Sequence, residues 1–202
     1  ESVYSMDGDV APLADIVALK RDFPSMRLYV DEAHSVGLCG HGLGLCAELG
    51  LLSGVDLLLG TLGKALGSIG AYSLQSASLR EIFVSQARPF IYTTALPPLM
   101  VGWTLFLLRK VREMEDRRAH LVEMRQRLGD HIGRAPESQI ISLEIPGEQR
   151  VAEAAEDFIR EGLYVRPIRR PTVPSGRERL RISLTAAMSA EEIDHIGEVV
   201  RR

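Results

Sequence analysis

Two short stretches place residue types capable of chemistry where an apolar strand ends. Leu28-Tyr29-Val30 runs straight into Asp31-Glu32-Ala33-His34, so an acid and an imidazole project together at the rim of a sheet. The same four residues also suit a hydrogen-bonded turn with a surface histidine. Val55 to Leu59 runs into Gly60-Thr-Leu-Gly-Lys64-Ala-Leu-Gly67, which sets one lysine among glycines. Glycines let a backbone approach a bulky ligand closely, and the Thr61 hydroxyl could help hold a phosphate; a solvated turn lysine fits the spacing too. Asp-Glu-Ala-His also spells the acidic metal-binding motif of one helicase class. The nucleotide phosphate loop G-x-x-x-x-G-K-S/T would need glycine at 58 and Ser or Thr at 65, and it would precede that motif. Here Leu58 and Ala65 stand at those places and the lysine follows, so a motor ATPase is excluded.

The elements that must position these residues alternate. Glu1 to Met6 reads as a short β-like run, Asp7-Gly8-Asp9 as a turn, and Pro12 as the first turn of a helix whose Leu13, Ile16 and Val17 share a face and which ends at Phe23-Pro24. The two apolar strands, with another at Ala71 to Leu74, imply a mostly parallel sheet with helices on both faces, and such sheets gather their sites at strand C-terminal ends. A helix near Ser78 to Gln86 and a loop from Pro89 to Pro98 follow. Leu99 to Ile132 reads as one long helix, with Leu121, Met124, Leu128 and Ile132 at helical spacing, ended by Gly133 to Pro136. Beyond it come a strand at Gln139 to Ile145, a helix carrying Val151, Ala154, Ala155, Phe158 and Ile159, and strands near Leu163 to Val165 and Leu180 to Leu184. Ser189 with Glu192 forms a capping box that opens a last helix with Ile193, Ile196 and Val200 inward. The expected division is 1–98, 99–134 as a connecting helix, and 135–202 as a small α+β domain.

Composition narrows the function classes. The 202 residues carry 24 Lys and Arg against 27 Asp and Glu, a net charge of −3, which excludes a strongly basic nucleic-acid binder. The Arg-rich stretch from Arg109 to Arg127 is interleaved with Glu113, Glu115, Asp116 and Glu123 and reads as a solvated helix face, and His120, His131 and His195 as solvated positions. Hydrophobic residues at 46% can bury a large core. The longest weakly charged stretch, Ala95 to Leu108, includes Pro97 and Pro98 and falls short of the roughly 20 apolar residues a spanning helix needs, so no membrane segment is expected. Cys39 and Cys46 lack C-x-x-C spacing. With His41 they occupy one short loop without a fourth ligand, so they read as packing residues, no metal is expected, and a reducing cytoplasm fits. The chain opens at Glu1 without Met or a targeting segment, and is expected to be an excerpt of a longer protein.

Taken together, Ser2-Val-Tyr-Ser-Met-Asp-Gly-Asp9, Asp31-Glu-Ala-His-Ser-Val-Gly37, Gly60-Thr-Leu-Gly-Lys-Ala-Leu-Gly67, Tyr92-Thr-Thr-Ala-Leu-Pro-Pro98, Arg170-Pro-Thr-Val-Pro174 and Arg179-Leu-Arg181 resemble the α-oxoamine synthases across essentially the whole chain. These are pyridoxal-phosphate enzymes of the aspartate-aminotransferase fold that condense an amino acid with an acyl-CoA. The resemblance implies an α/β fold: the second half of the family's large cofactor-binding domain in 1–98, and a small α+β C-terminal domain. Pro-Thr-Val-Pro followed by Arg-Leu-Arg looks most like the biotin-pathway branch, which joins L-alanine to pimeloyl-CoA. Sibling synthases that use glycine or serine are the first alternative. A non-catalytic fragment or partner that retains the dimer surface is the second.

The resemblance also implies roles. Lys64 would form the Schiff base with the cofactor aldehyde and, once displaced by the amino acid, serve as the base at Cα. Asp31 would pair with the protonated pyridine nitrogen; at ~4 Å and an effective dielectric of ~20 that attraction is about 4 kcal/mol, enough to keep the ring an electron sink. His34 would bond the ring hydroxyl oxygen and Ser5 would contact the same side. Thr61 would bind the phosphate, and Thr93 would reach the phosphate of the neighbouring subunit, so the family's shared site implies a homodimer. Arg181 would grip the substrate carboxylate with a bidentate fork, near Thr172, and Glu1 is a further candidate. The carbanion would attack the thioester and the β-keto acid would lose carbon dioxide. The family is about twice this long, and its other half usually supplies a histidine stacked on the ring and a glycine-bearing phosphate loop. This chain alone is therefore expected to hold cofactor poorly and to be inactive. Leu43 and Met188 stand where relatives often carry arginine and histidine.

Overall fold

A three-stranded sheet carries both chemical motifs at its strand ends. In the computed structural model, which describes residues 1–202, β1 (Tyr29–Asp31) pairs in parallel with β2 (Leu57–Thr61), and β3 (Ala71–Gln75) joins β2 antiparallel. The parallel pairing expected of the two motif strands is present, and the strand after them reverses. β3 starts where its apolar run does, whereas β1 and β2 start a little later than theirs suggest. The amides of Asp56 and Leu57 are held by the carbonyl of Leu28, and the Asp56 carboxylate accepts from the Leu28 amide at 2.8 Å. Pairing therefore begins at Leu57 and continues to Thr61.

Two units make up the chain: Glu1–Val3 with Ala11–Glu115, and Tyr4–Val10 with Asp116–Arg202. In the first unit, α1 (Leu13–Asp22) follows Pro12, which is the cap residue rather than part of the first turn. Its Lys20 bonds Asp56 at 2.6 Å and the Gly54 carbonyl at 3.0 Å. Short α2 (Leu45–Glu48) follows β1, and α3 (Ala77–Gln86), α4 (Arg88–Ile91) and α5 (Pro98–Lys110) follow β3. The β-like run expected over Glu1 to Met6 is reduced to a single bridge position at Val3 ahead of a turn from Ser5, with the Ser2 amide bonded to the Asp31 carbonyl and the Tyr4 amide to that of Asp9.

The single long helix expected from Leu99 to Ile132 is broken. After α5 a 3₁₀ turn covers Val111–Glu113, Met114 leaves helical geometry (φ −91°, ψ 41°), and α6 (Glu115–Ile132) begins anew. The reason lies in packing. Val111 is buried with Val36, Leu62 and Leu66 in a cluster of the first unit, whereas Leu121, Met124 and Leu128 are buried in the second.

In the second unit β4 (Ile140–Glu144), β6 (Arg179–Ser183) and β5 (Arg166–Ile168) form an antiparallel sheet in the order β4-β6-β5. The strand expected at Leu163 to Val165 lies three residues later. The Leu163 amide closes α7 (Glu148–Arg160) by bonding the Phe158 carbonyl, and the register with β6 uses Arg166 to Ile168. Ile141 faces Ile182 and Leu143 faces Leu180 across the ladder. Ile141, Leu180 and Ile182 are buried, as are Val151 and Phe158 of α7, and Ile193 and Ile196 of α8 (Ala190–Arg201). The capping box is present: Ser189 Oγ accepts from the Glu192 amide at 3.3 Å and Glu192 Oε2 from the Ser189 amide at 2.7 Å, an arrangement worth about 1 kcal/mol.

Polar groups read as solvated are partly recruited into this unit. His120 Nε2 meets the Met188 carbonyl oxygen at 2.8 Å and His195 Nε2 that of Glu161 at 2.9 Å, and Arg118 is buried. Arg127 donates two bonds to Asp194 (2.7 and 2.6 Å), and His131 Nε2 adds a third at 2.8 Å, joining α6 to α8. Arg127 first, then His131, holds the Asp194 carboxyl well below its ordinary 3.8. A depressed carboxyl stabilises the fold fully above its unfolded value and loses that contribution as pH falls through the folded one. Acid unfolding of this unit should therefore steepen below about pH 4, and Asp194→Asn should flatten that dependence. Thermal midpoints of both proteins across this range decide it; parallel curves would remove the cluster from the acid response.

Candidate active site

The turn after β1 is built by its own side chains. Asp31 Oδ1 accepts from the Ala33 amide at 2.8 Å, the Glu32 amide bonds the Leu59 carbonyl of β2, and the amides of Ser35 and Val36 both return to the Glu32 carbonyl. Glu32 itself is 0% exposed. Its carboxylate accepts from the amides of Leu45 and Cys46 at 2.7 Å each, from Ser2 Oγ at 3.3 Å and from Ser35 Oγ. Within Asp31-Glu-Ala-His34 the acid that does not face the site is thus the anchor of the loop. The local pattern does not set Glu32 apart from Asp31, because a buried carboxylate needs donors and most of these come from Ser2, Leu45 and Cys46, outside the motif.

The turn after β2 is closed by the Leu62 amide on the Gly70 carbonyl (3.0 Å), the Ser68 amide on that of Leu62 (2.8 Å) and the Gly67 amide on that of Lys64 (3.0 Å). Gly67 has φ +56°, a left-handed conformation that favours glycine. Gly60 sits opposite Tyr72 on β3, and a Cβ there would lie 2.2 Å from the tyrosine ring.

These two turns bring Lys64 and His34 together. Lys64 Nζ is 3.0 Å from His34 Nε2, and Glu1 Oε1 lies 3.9 Å from the same imidazole nitrogen. Two nitrogens at this distance share one proton: a charged amine donates to a neutral imidazole, or the imidazole donates to a neutral amine. Of the chain's lysines, Lys20 is taken up by Asp56 and Lys110 by Glu113 at 2.9 Å. Lys64 is exposed and meets an imidazole rather than a carboxylate. Thr61, at the end of β2, buries its Oγ1 with no hydrogen-bond partner. Such a hydroxyl is costly unless a ligand satisfies it, and this donor set fits an anionic group held beside an amine.

The remaining candidates divide between the units. Thr93 lies in the exposed stretch after α4 of the first unit, where Tyr92 is 77% exposed. Ser5, Thr172 and Arg181 belong to the second unit. Ser5 is in the turn that precedes Gly8, and Thr172 is in a turn closed by its amide on the Arg169 carbonyl. Arg181 is half-buried on the central strand β6, between Ser142 of β4 and Arg166 of β5. No cluster of three or more His, Cys, Asp or Glu side chains is placed to hold a metal ion. Cys46 is buried, which first of all, with the Glu32 hydrogen bond and charge, pushes its thiol up to about 12. No helix is long and apolar enough to cross a membrane.

The family described as aminotransferase class I and II matches residues 1–200. A putative 8-amino-7-oxononanoate synthase of Neisseria meningitidis serogroup A is 43% identical over 199 residues, covering 96% of this chain and 52% of that protein. The 8-amino-7-oxononanoate synthase of Chlorobaculum parvum is 45% identical over 208 residues, covering 100% and 53%. Among solved structures, serine palmitoyltransferase of Sphingomonas wittichii superposes with a TM-score of 0.91 at 32% identity, covering 98% of this chain and 52% of that one. A structure of SPT with PLP reaches 0.92 at 28% identity, covering 99% and 52%. The chain spans about half the length of the curated relatives it matches.

Proposed function

The chain belongs to the class I and II aminotransferase family, and from that premise we propose that it is half of a pyridoxal-phosphate acyltransferase of the 8-amino-7-oxononanoate synthase type. In this reading it condenses L-alanine with pimeloyl-CoA, with loss of carbon dioxide, in biotin biosynthesis. The observation that carries the reading is Lys64 Nζ at 3.0 Å from His34 Nε2, both displayed at the C-terminal ends of neighbouring parallel strands.

Pyridoxal phosphate would be held by the Lys64 amine, with Asp31 toward the ring nitrogen, His34 and Ser5 toward the ring hydroxyl, and the orphaned Thr61 hydroxyl toward the phosphate. When bound, the cofactor supplies an electron sink for charge at the substrate Cα. Arg181 holds the substrate carboxylate, where a planar fork gives both charge and orientation. The Lys64 amine takes the Cα proton. His34 Nε2, within one hydrogen bond of that amine, receives or returns the proton, and the Glu1 carboxylate lies 3.9 Å from the same nitrogen. Thr93 acts on the phosphate of a second subunit. Support for such a dimer comes from the apolar surface exposed along α4 and α5, with Phe90 60% and Leu99 82% exposed, since large exposed apolar residues in series mark surfaces that become covered.

A serine-using synthase is the second reading, favoured by the fold similarity to serine palmitoyltransferase. Release of CoA from pimeloyl-CoA with alanine, against palmitoyl-CoA with serine, separates the two. The central test uses the protein at its relatives' full length, loaded with pyridoxal phosphate and reduced with borohydride. Peptide mapping should find the pyridoxyl label on Lys64; label on Lys20 or Lys110, or none, defeats the reading. Arg181→Ala should raise the KM for the amino acid by about 10- to 100-fold through the lost charge-assisted pair. An unchanged KM would remove Arg181 from the site.

A further inference from the structure

The segment Tyr4–Val10, which carries Ser5, belongs to the second unit although the residues on either side of it belong to the first. Its attachment is specific. The Tyr4 amide bonds the Asp9 carbonyl and the Gly8 amide the Tyr4 carbonyl, each at 2.9 Å, which closes the loop on itself. Ser138 Oγ donates to the Gly8 carbonyl at 2.7 Å, and the Val10 amide donates to Glu137 Oε2 at 2.9 Å. Gly8 has φ +78°, and a Cβ there would stand 1.9 Å from the Ile140 carbonyl oxygen. The loop therefore lies directly against β4.

At its tip Asp7 forms an ion pair with Arg179, which is 2% exposed on β6. The neighbouring acids are committed elsewhere. Glu144, across the ladder from Arg179, pairs with Arg177 at 3.0 Å. The Glu178 carboxylate accepts from the amides of Gly147 and Gly176 at 2.9 Å each. Besides Asp7, Arg179 bonds the Arg177 carbonyl at 2.9 Å. A buried guanidinium requires a charged or fully hydrogen-bonded partner, so Asp7 is the acid that makes the position of Arg179 tenable. Arg179 and Arg181 are two residues apart on one strand and share a face of the sheet.

We propose that Asp7 is a positioning residue, which, through its pair with buried Arg179, fixes the stretch of β6 that presents Arg181 and locks the Ser5 loop to the same strand. The substrate-carboxylate arginine and the loop expected at the cofactor ring are then one rigid piece. The inference rests on the proposed function for the roles of Arg181 and Ser5, and on geometry alone for the coupling between loop and strand.

Two measurements on the protein at its relatives' full length test it. In the form stripped of cofactor, D7N should speed hydrogen exchange in both Tyr4–Val10 and Leu180–Ser183 while leaving α8 unchanged. In the loaded form, D7N should raise the KM for the amino acid about tenfold, the order that a small misplacement of an orienting group produces, with kcat and the KM for acyl-CoA within about twofold. D7E, which keeps the charge, should restore the wild-type KM. Unchanged exchange in either segment overturns the coupling. A fall in kcat with both KM values unaltered overturns the positioning role, because it reports a merely structural loss. Should D7N not fold, R179K, which keeps the charge but not the fork, must raise the same KM, and a wild-type KM there overturns the proposal. If Lys64 takes no borohydride label, the proposed function has failed instead, and the exchange arm still decides the coupling.

Discussion

Lys64→Ala, made in the protein at its relatives' full length, is expected to eliminate turnover while leaving the fold intact. Two losses combine. In the proposed function the amine is the covalent anchor for the cofactor, so pyridoxal phosphate should leave on gel filtration and borohydride should fix no label. In the same reading it is also the base for the Cα proton, a role worth about 10²- to 10⁴-fold by itself. Stability should change little, within about 0.5 kcal/mol, as for most exposed positions. The Lys64 side chain is exposed, and the hydrogen bond that closes its turn uses the carbonyl, which alanine retains. The effect should therefore appear in CoA release and cofactor retention, and not in the unfolding midpoint. Turnover within tenfold of wild type, with cofactor retained, would mean that the imidazole contact of Lys64 is a surface bond and that the site lies elsewhere.

The placing of Lys64 and His34 at the ends of neighbouring strands was legible in the sequence, whereas the limits of several elements were not. Lys64 and His34 could be singled out from sequence because each follows an apolar run, and buried parallel strands deliver residues to one rim. The same strand ends put forward Asp31 beside His34 and Thr61 before Lys64, and the family resemblance extended the reading to Ser5, Thr93, Thr172 and Arg181. The capping box of α8 was equally plain, since Ser189 and Glu192 act within one turn. What stayed hidden depends on partners far along the chain. The strand limits at Leu57 and Arg166 are set by pairing with β1, β3 and β6 rather than by the local apolar pattern. The break at Met114 exists because Val111 is needed in a core built from residues 36 to 66. The Arg109 to Arg127 stretch and His120, His131 and His195 read as solvated. Yet Arg179 finds Asp7 from 172 positions away, and His131 finds Asp194 from 63 away, and no local window contains such pairs. The first of these pairs ties Asp7, in a stretch that sequence gives as a turn, to buried Arg179 of β6.

Glu32→Ala should be the most damaging single change in the first unit. The carboxylate lies between the start of α2 and the first residues of the chain, and four donors converge on it. Alanine removes the acceptor and leaves the amides of Leu45 and Cys46 buried without partners, at about 1–3 kcal/mol each. The space vacated is real, because the pocket is shaped to the carboxylate: a Cβ at Gly44 would lie only 2.5 Å from Glu32 Oε2. A total loss of roughly 3–5 kcal/mol follows, a large share of the stability of an ordinary domain. Glu32→Gln should cost less, since it keeps the volume and one acceptor oxygen while losing the charge assistance. Cys46 supplies an internal reporter. Burial first, and then the hydrogen bond and charge of Glu32, hold its thiol up near 12, so the thiolate that reacts with alkylating agents is scarce at neutral pH. Removing the carboxylate deletes two of those causes and, by loosening α2, weakens the first. Alkylation of Cys46 should thus accelerate in Glu32→Ala under native conditions, alongside a lower denaturant midpoint. An unchanged midpoint with Cys46 still protected would mean that α2 and the Asp31–His34 turn hold their places without this carboxylate.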